Sequence, residues 1–485
     1  HAQWTQRHLS GMRSAILAVP LLLAASSATA LPAVQIGVEF TGPTRTESGF
    51  IPPDTMGAAG DAHVVALLNG SYAAYRKSDG QLVATSTLNQ FWTDAGVAPI
   101  RSYDPRILYD AATQRWFAVS ADAANSTEAG FLVAVSKSSD PTDGWTGFRI
   151  DASSTNLTWG DFPMLGLDDE AVYVSAPAFP VNGADRPVGN DYLVLPKNDL
   201  LAALPSVANA TYFERESIQL AGFQAQPVVN LDGGGLPAKF YAGTLTIFGQ
   251  VQVSQITGPL ASPTISGGVN IAVEAAFDPL DAEQPGPKQN LDGGDSRFGA
   301  NLVLQNGVTW AVQGIQSEDD HAAIRWLQFD PETDILLDSG IIADPNLDLI
   351  YPSIAVNEFD QIVIGMSGSS ESQFASAYAV VGEKLGGVTH FGDLLLLAAG
   401  TADYEVTYGG ARNRWGDYSA TVLDPSDPHA FWTFQEFAIS EDVWAVRVTQ
   451  LLLVPEPGTL ALLGFGVAAI ASRRRSGSYA ENSAR

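Results

Sequence analysis

The chain has 485 residues, 53 acidic and 25 basic, for a net charge of −28, and it has no cysteine. An acidic surface of that balance repels nucleic acid and anionic lipid, whose recognition rests on basic patches. The missing thiols exclude disulfides, a thiol nucleophile and zinc–cysteine sites.

In chain order, the first signal is an export leader. Arg13 precedes the apolar stretch Ala15–Ala25, and Ala28-Thr29-Ala30 then places small residues at −3 and −1 of a cleavage point. Met12 is the expected start, with His1–Gly11 as upstream sequence, so residues 1–30 are set aside as leader. The long stretch 31–453 is read as one large all-β domain. Two arginines precede residue 31, and two glutamates and four arginines follow residue 454; without them, 19 basic and 51 acidic residues remain, a net charge of about −32. Such a body is soluble and attracts cations. Lacking disulfides, it must hold itself together with its core, and it is long enough to do so.

Within this body the period is two. Val64–Leu68, Phe131–Val135, Ala171–Val174 and Gln361–Gly365 read as strands, with Gly, Asn and Asp between them as hairpin turns demand. Helical patterns are scarce; Asp199–Leu204 is one short turn. A repeat of strand, Asp or Asn turn, and second strand begins at Asp104, Asp161, Tyr351 and Asp417, with weaker copies near Asp54, Gln226 and Gly299. The spacing is about 60 residues, which suits four-stranded units around an axis. The expected fold is a seven-bladed β-propeller, with Ile36–Phe40 or Val443–Leu451 as the ring-closing strand. Six blades, or a different β-solenoid, are the alternatives.

Several motifs carry a resemblance. Pro52-Pro53-Asp54-Thr55-Met56-Gly57 with Asn69-Gly70-Ser71-Tyr72 is similar to the opening of a group of bacterial secreted proteins with sialidase-like propellers. So are Asp104–Asp110 with Arg115-Trp116, and Arg414–Ser419 with Phe431-Trp432. Ser139–Trp145 resembles a degenerate Asp-box, a structural hairpin turn of sialidase-type (BNR-type) blades. The resemblance covers about residues 50–440 and implies a fold and an extracytoplasmic setting. It implies an activity only through candidates at the channel mouth: Asp104, Arg106, Asp161, Arg297, Arg414 and Asp417, beside Tyr103 and Tyr418. A sialidase-like glycosidase needs an arginine cluster, a tyrosine nucleophile with an acidic partner, and an acid; glycosidases in general use two carboxylates at a set separation. The same residues serve equally as paired charges between neighbouring blades. We favour that role and assign no catalytic residue.

Other chemistries find less support. His63, His321, His390 and His429 are scattered, and HExxH, GxSxG and the phosphate-binding GxxxxGK[ST] pattern are absent. No cofactor is expected. Calcium is the one ion for which ligands gather, at Asp292 and Asp295 in Asn290–Asp295, a sequence that ordinary Asx turns also explain.

The C-terminus is a second signal. Val454 leads into Pro455-Glu456-Pro457-Gly458-Thr459, then an apolar run Leu460–Ala471, then Arg473-Arg474-Arg475 and ten further residues, Ser476–Arg485. The prolines favour an extended segment open to a processing enzyme. The 15 residues Gly458–Ser472 make a short membrane-spanning helix, since a full span takes roughly 20. The arginines hold its far end in the cytoplasm. Residues 454–475 resemble a PEP-CTERM sorting segment. The resemblance implies an exosortase as partner, passage through the secretion machinery, and transient anchoring in the inner membrane of a Gram-negative bacterium. It also implies a link to exopolysaccharide and biofilm. The expected protein is therefore a non-catalytic scaffold or carbohydrate-binding propeller at the cell surface or in the extracellular matrix. The alternative is a sialidase-like glycoside hydrolase.

Overall fold

The computed structural model describes residues 31–454, apart from 182, 184, 185, 236, 408 and 409. The signal cleavage site at Ala28 and Ala30, the motif Pro455-Glu456-Pro457, the basic stop and the expected membrane helix lie outside the described residues. Among those described, no helix is long and apolar enough to cross a membrane. The longest, Leu88–Asp94, has seven residues and buries Phe91 and Trp92. The expected turn at Asp199–Leu204 is a short helix at Lys197–Leu200.

The chain is mostly β, built as successive antiparallel meanders. We name ten strands. β1 is Ala33–Thr44. The meanders start at β2 (Met56–Ala59), β3 (Ser102–Asp110), β4 (Met164–Leu167), β5 (Gln226–Asn230), β6 (Leu302–Gln305), β7 (Asp348–Val356) and β8 (Ala420–Asp424). The last meander continues through β9 (Asp427–Ser440) and β10 (Val443–Val454). β1 returns from the far end of the chain to pair with β10, Ala33 opposite Val454 and Phe40 opposite Val448. Both candidates for the closing strand thus lie in one sheet. The β4, β5 and β6 meanders merge into a larger sheet through parallel pairs such as Leu167 with Val229 and Val229 with Val303.

Burial follows position within a meander. The second strand of the β4 meander, Ala171–Pro180, is buried on both faces over its first eight residues, so it reads as an apolar run broken only by Ser175. Outer strands such as Leu82–Ser86 and Ile335–Ile342 are largely uncovered. Sheets meet closely where glycine removes a side chain. A Cβ on Gly57 of β2 would lie 2.4 Å from the Phe434 ring of β9. The Asp-box-like turn is structural. Asp140 accepts from Thr142 N at 2.9 Å, and Trp145 Nε1 donates to the Pro141 carbonyl at 3.1 Å.

Five of the seven meanders open alike. Asp54, Asp104, Phe162, Gln224 and Tyr351 all have φ between 49° and 61°, each two residues before or a few residues into the first strand of its meander. Such left-handed residues cost about 1–2 kcal/mol each. A register shift accompanies two of them, between Tyr103 and Arg106 and between Ile350 and Ser353. The repeat therefore aligns Phe162, not Asp161, with Asp104. Hydrogen bonds from one meander to the next hold these kinks. Asp104 N donates to Asn69 Oδ1 at 2.8 Å, and Phe162 N donates to Asp104 Oδ2 at 3.2 Å.

Candidate functional site

The kinked openings gather charge. Asp54 Oδ2 accepts from Asn69 Nδ2 at 2.7 Å, and the Asp54 and Asp104 carboxyls meet each other. Burial pushes both pKa values up. Asp104 and Asp417 raise Asp54 further, while the Asp54 hydrogen bond and Arg106 restrain Asp104. Burial, then repulsion from Asp104 and Asp417, lifts Asp161 to about 8 against the pull of Arg297. Asp417 rises to about 6 on burial, restrained first by Arg414. Glu436 of β9 rises to about 8 on burial, although its Oε1 accepts from Thr55 Oγ1 at 2.7 Å. Burial, which disfavours the charged form, is thus the main cause of the raised pKa values across the cluster, with repulsion between its acids second for Asp54 and Asp161.

The arginines are engaged within the protein. Arg106 is fully buried and donates from Nε to the Pro163 carbonyl at 3.2 Å and from Nη1 to the Gly299 carbonyl at 2.7 Å. Its guanidinium lies 3.5 Å from the Tyr418 ring centroid and 4.9 Å from that of Phe162, a cation–π sandwich. Arg106 thus ties the β3 meander to the β4, β6 and β8 meanders. Arg297 Nε donates to both Asp295 oxygens at 2.7 Å, and its Nη1 donates to Gln224. Arg414 Nη2 donates to Asp417 at 2.8 Å. The expected calcium carboxylates are engaged the same way: Asp295 faces Arg297, and Asp292 faces Arg412 at 2.5 Å and Arg414 at 3.7 Å. Among the described residues, no group of three or more His, Asp or Glu side chains is arranged to hold a metal.

Tyr103 and Tyr418, considered as nucleophiles, each donate to a backbone carbonyl, Gly160 and Pro105, both at 3.1 Å. Burial raises both phenols well above their ordinary pKa. The structure thus brings Asp104, Arg106, Asp161, Arg297, Arg414 and Asp417 into one neighbourhood and adds Asp54, Glu436 and Arg412. The free space beside them, lined by Phe162, Gln224, Arg297, Tyr351 and Asp417, measures about 30 Å³. That is room for about two waters.

The other ends of the first strands surround a larger cavity, about 560 Å³. Ala58 of β2, Leu108 of β3, Leu167 of β4, Val229 of β5, Val303 of β6, Ala355 of β7 and Val422 of β8 all line it. Its rim is polar and in part internally paired. Asp110 accepts from Lys197 at 2.7 Å, and Asp424 accepts from Lys77 at 2.8 Å. Asn357 Nδ2 donates to Gln361 at 2.9 Å and to the Pro428 carbonyl at 2.7 Å. Asn301, Gln305 and Thr421 also line it, so the surface of the mouth is mixed, with apolar side chains in the majority.

Residues 453–475 match the PEP-CTERM protein-sorting motif. The motif indicates an exported protein, processed by an exosortase and directed to the cell surface. No curated protein matches the chain in sequence. Among solved structures, the chain is similar to Drosophila semaphorin 1b extracellular domains 1–2, with 8% identity over 87% of this chain and 88% of that one, TM-score 0.39. It is similar to a subtype N10 neuraminidase-like protein of A/little yellow-shouldered bat/Guatemala, with 8% identity over 70% and 93%, TM-score 0.37. It is also similar to Trypanosoma rangeli sialidase in complex with the inhibitor DANA, with 9% identity over 91% and 63%, TM-score 0.36.

Proposed function

We propose that the meanders are the seven blades of a closed propeller, and that the mature protein is a non-catalytic component of the cell surface or an exopolysaccharide matrix. The ring reading rests on the first strands of all seven meanders lining one cavity, and on β1 joining the last sheet. In this reading the sorting tail anchors the ring transiently in the inner membrane until cleavage near Pro455-Glu456-Pro457 releases it.

One observation carries the non-catalytic role. The free space at the charged centre measures only about 30 Å³, and Arg106, Arg297 and Arg414 each donate to a protein partner. A glycosidase that captures an anionic sugar needs arginines turned toward open space, with two carboxyls free to flank a glycosidic bond. Here the carboxyls bind Asn69, Phe162 N, Thr55 and Arg414 instead. The test is to incubate purified 31–454 with sialylated, acidic and neutral glycans and measure released sugar. Saturable binding without release supports a matrix-binding ring. Turnover that falls in Asp417→Asn would overturn the non-catalytic reading in favour of a glycoside hydrolase.

A further inference from the structure

An apolar cavity of about 560 Å³ on an exported protein with a net charge of −28 calls for something apolar to cover it. The path of the chain supplies a candidate. In the last sheet Leu452 pairs with Ala430, and Pro428, two residues earlier on β9, lines the mouth. Val454, two residues after Leu452, therefore ends β10 beside that rim, with Ala33 opposite it. The next residues are the sorting motif and then the apolar run. Adjacent strands lie about 4.8 Å apart, and the five residues Pro455–Thr459 can span about 17 Å when extended. Leu460 is thus within reach of the cavity.

The chemistry matches as well as the reach. The walls are mostly short aliphatic side chains, with Asn301, Gln305 and Thr421 among them, and Leu231, 42% exposed, extends the apolar surface at the mouth. Asp110 and Asp424 are neutralised by lysines, which leaves the exposed carboxylates Asp169 and Glu358 to face Arg473–Arg475.

We propose that the unprocessed chain docks the start of its apolar run, Leu460–Phe465, into this mouth in cis. The mouth then shelters the tail in water until the bilayer takes it, and cleavage uncovers the mouth. The tail has two apolar hosts in succession, and the one on the protein is lost with processing.

The absence of cysteine makes the test direct. The full tail-bearing chain, kept free of detergent, would carry Leu462→Cys together with Leu423→Cys, on the mouth wall, or with Ala112→Cys on its exposed rim. The control pairs Leu462→Cys with Ile335→Cys on an outer strand. Under copper–phenanthroline oxidation, the mouth pairs should form an intramolecular disulfide at least five-fold faster than the control, independent of protein concentration. Equal rates, no disulfide, or only dimers that grow with concentration would overturn the proposal; the last would assign the mouth to another copy's tail. As a second readout, a fluorescent apolar dye should bind residues 31–454 and be excluded from the tail-bearing chain. Equal binding to both would likewise overturn it.

Discussion

Arg106 shows how single side chains hold the centre together. It lies between the Tyr418 and Phe162 rings and donates to two backbone carbonyls from different meanders. Lysine carries the charge but neither the flat face nor the forked donors. Arg106→Lys should cost about 2–4 kcal/mol, the scale of lost charged hydrogen bonds to buried carbonyls, read as a lower denaturant midpoint with an unchanged m-value. The protons of the cluster give a second prediction. Asp161 and Glu436 have folded-state pKa values of about 8 and Asp417 about 6, all above the ordinary carboxylate range. The folded state then binds more protons than the unfolded state between about pH 4 and pH 8. The stability these groups contribute is full below pH 4 and is lost as pH rises through 8. Glu436→Gln mimics the protonated form. The variant should match the parent at pH 5 and be more stable at pH 9, as measured by urea melts at both values; an equal loss at both would sink the assignment. Six members of this cluster could be picked out as candidates because each stands at or within three residues of a repeat opening. Glu436 was missed because it stands mid-strand in Phe434-Gln435-Glu436-Phe437. Its signal was a lone charge among residues that otherwise face the core.

At the scale of elements, the first two strands of the meanders were readable because both are deeply buried. Asp104–Asp110 with Arg115–Ser120, and Tyr351–Val356 with Gln361–Gly365, show apolar runs divided by an Asp or Asn turn. Outer strands such as Ile335–Ile342 are half solvated, so their composition says less. The register at Asp161 was one residue off because the kink places a left-handed Phe162, not a carboxylate, at the equivalent point. No side-chain pattern encodes that backbone angle. Glycine was the underused signal. Gly57 lets β2 approach β9, where an added Cβ would lie 2.4 Å from the Phe434 ring. Gly57→Val should therefore force the first meander away from the last sheet and cost about 1–3 kcal/mol by overpacking. The same change at Gly307, where a Cβ meets nothing within 4 Å but φ is 72°, should cost only backbone strain. Thermal melts of the two variants distinguish packing from strain, since only the first should recover when Phe434 is also reduced to Leu.

For the whole molecule, charge and chain path together decide how it meets a membrane. β1 and β10 put Ala33 opposite Val454, so both ends of the described body lie side by side. The body, at about −32 over residues 31–454, is repelled by anionic lipid, and that repulsion fades within roughly 10 Å at ordinary salt. In the proposed anchored form, retention would come from the apolar tail, whose 15 residues from Gly458 to Ser472 are short for a span. Pro455→Ala combined with Glu456→Ala removes the rigid, acidic feature next to the body that a processing enzyme can grip. The doubly substituted protein should accumulate at full length in the membrane fraction. High salt should not release it, because the acidic body, at about −32 over residues 31–454, is repelled by anionic lipid and the apolar run supplies the hold, whereas mild detergent should. The unsubstituted protein should appear shortened in the soluble exported fraction. Normal shortening of the variant would remove the sorting role from these two residues. Salt-sensitive retention would place the membrane contact on the body instead of the tail.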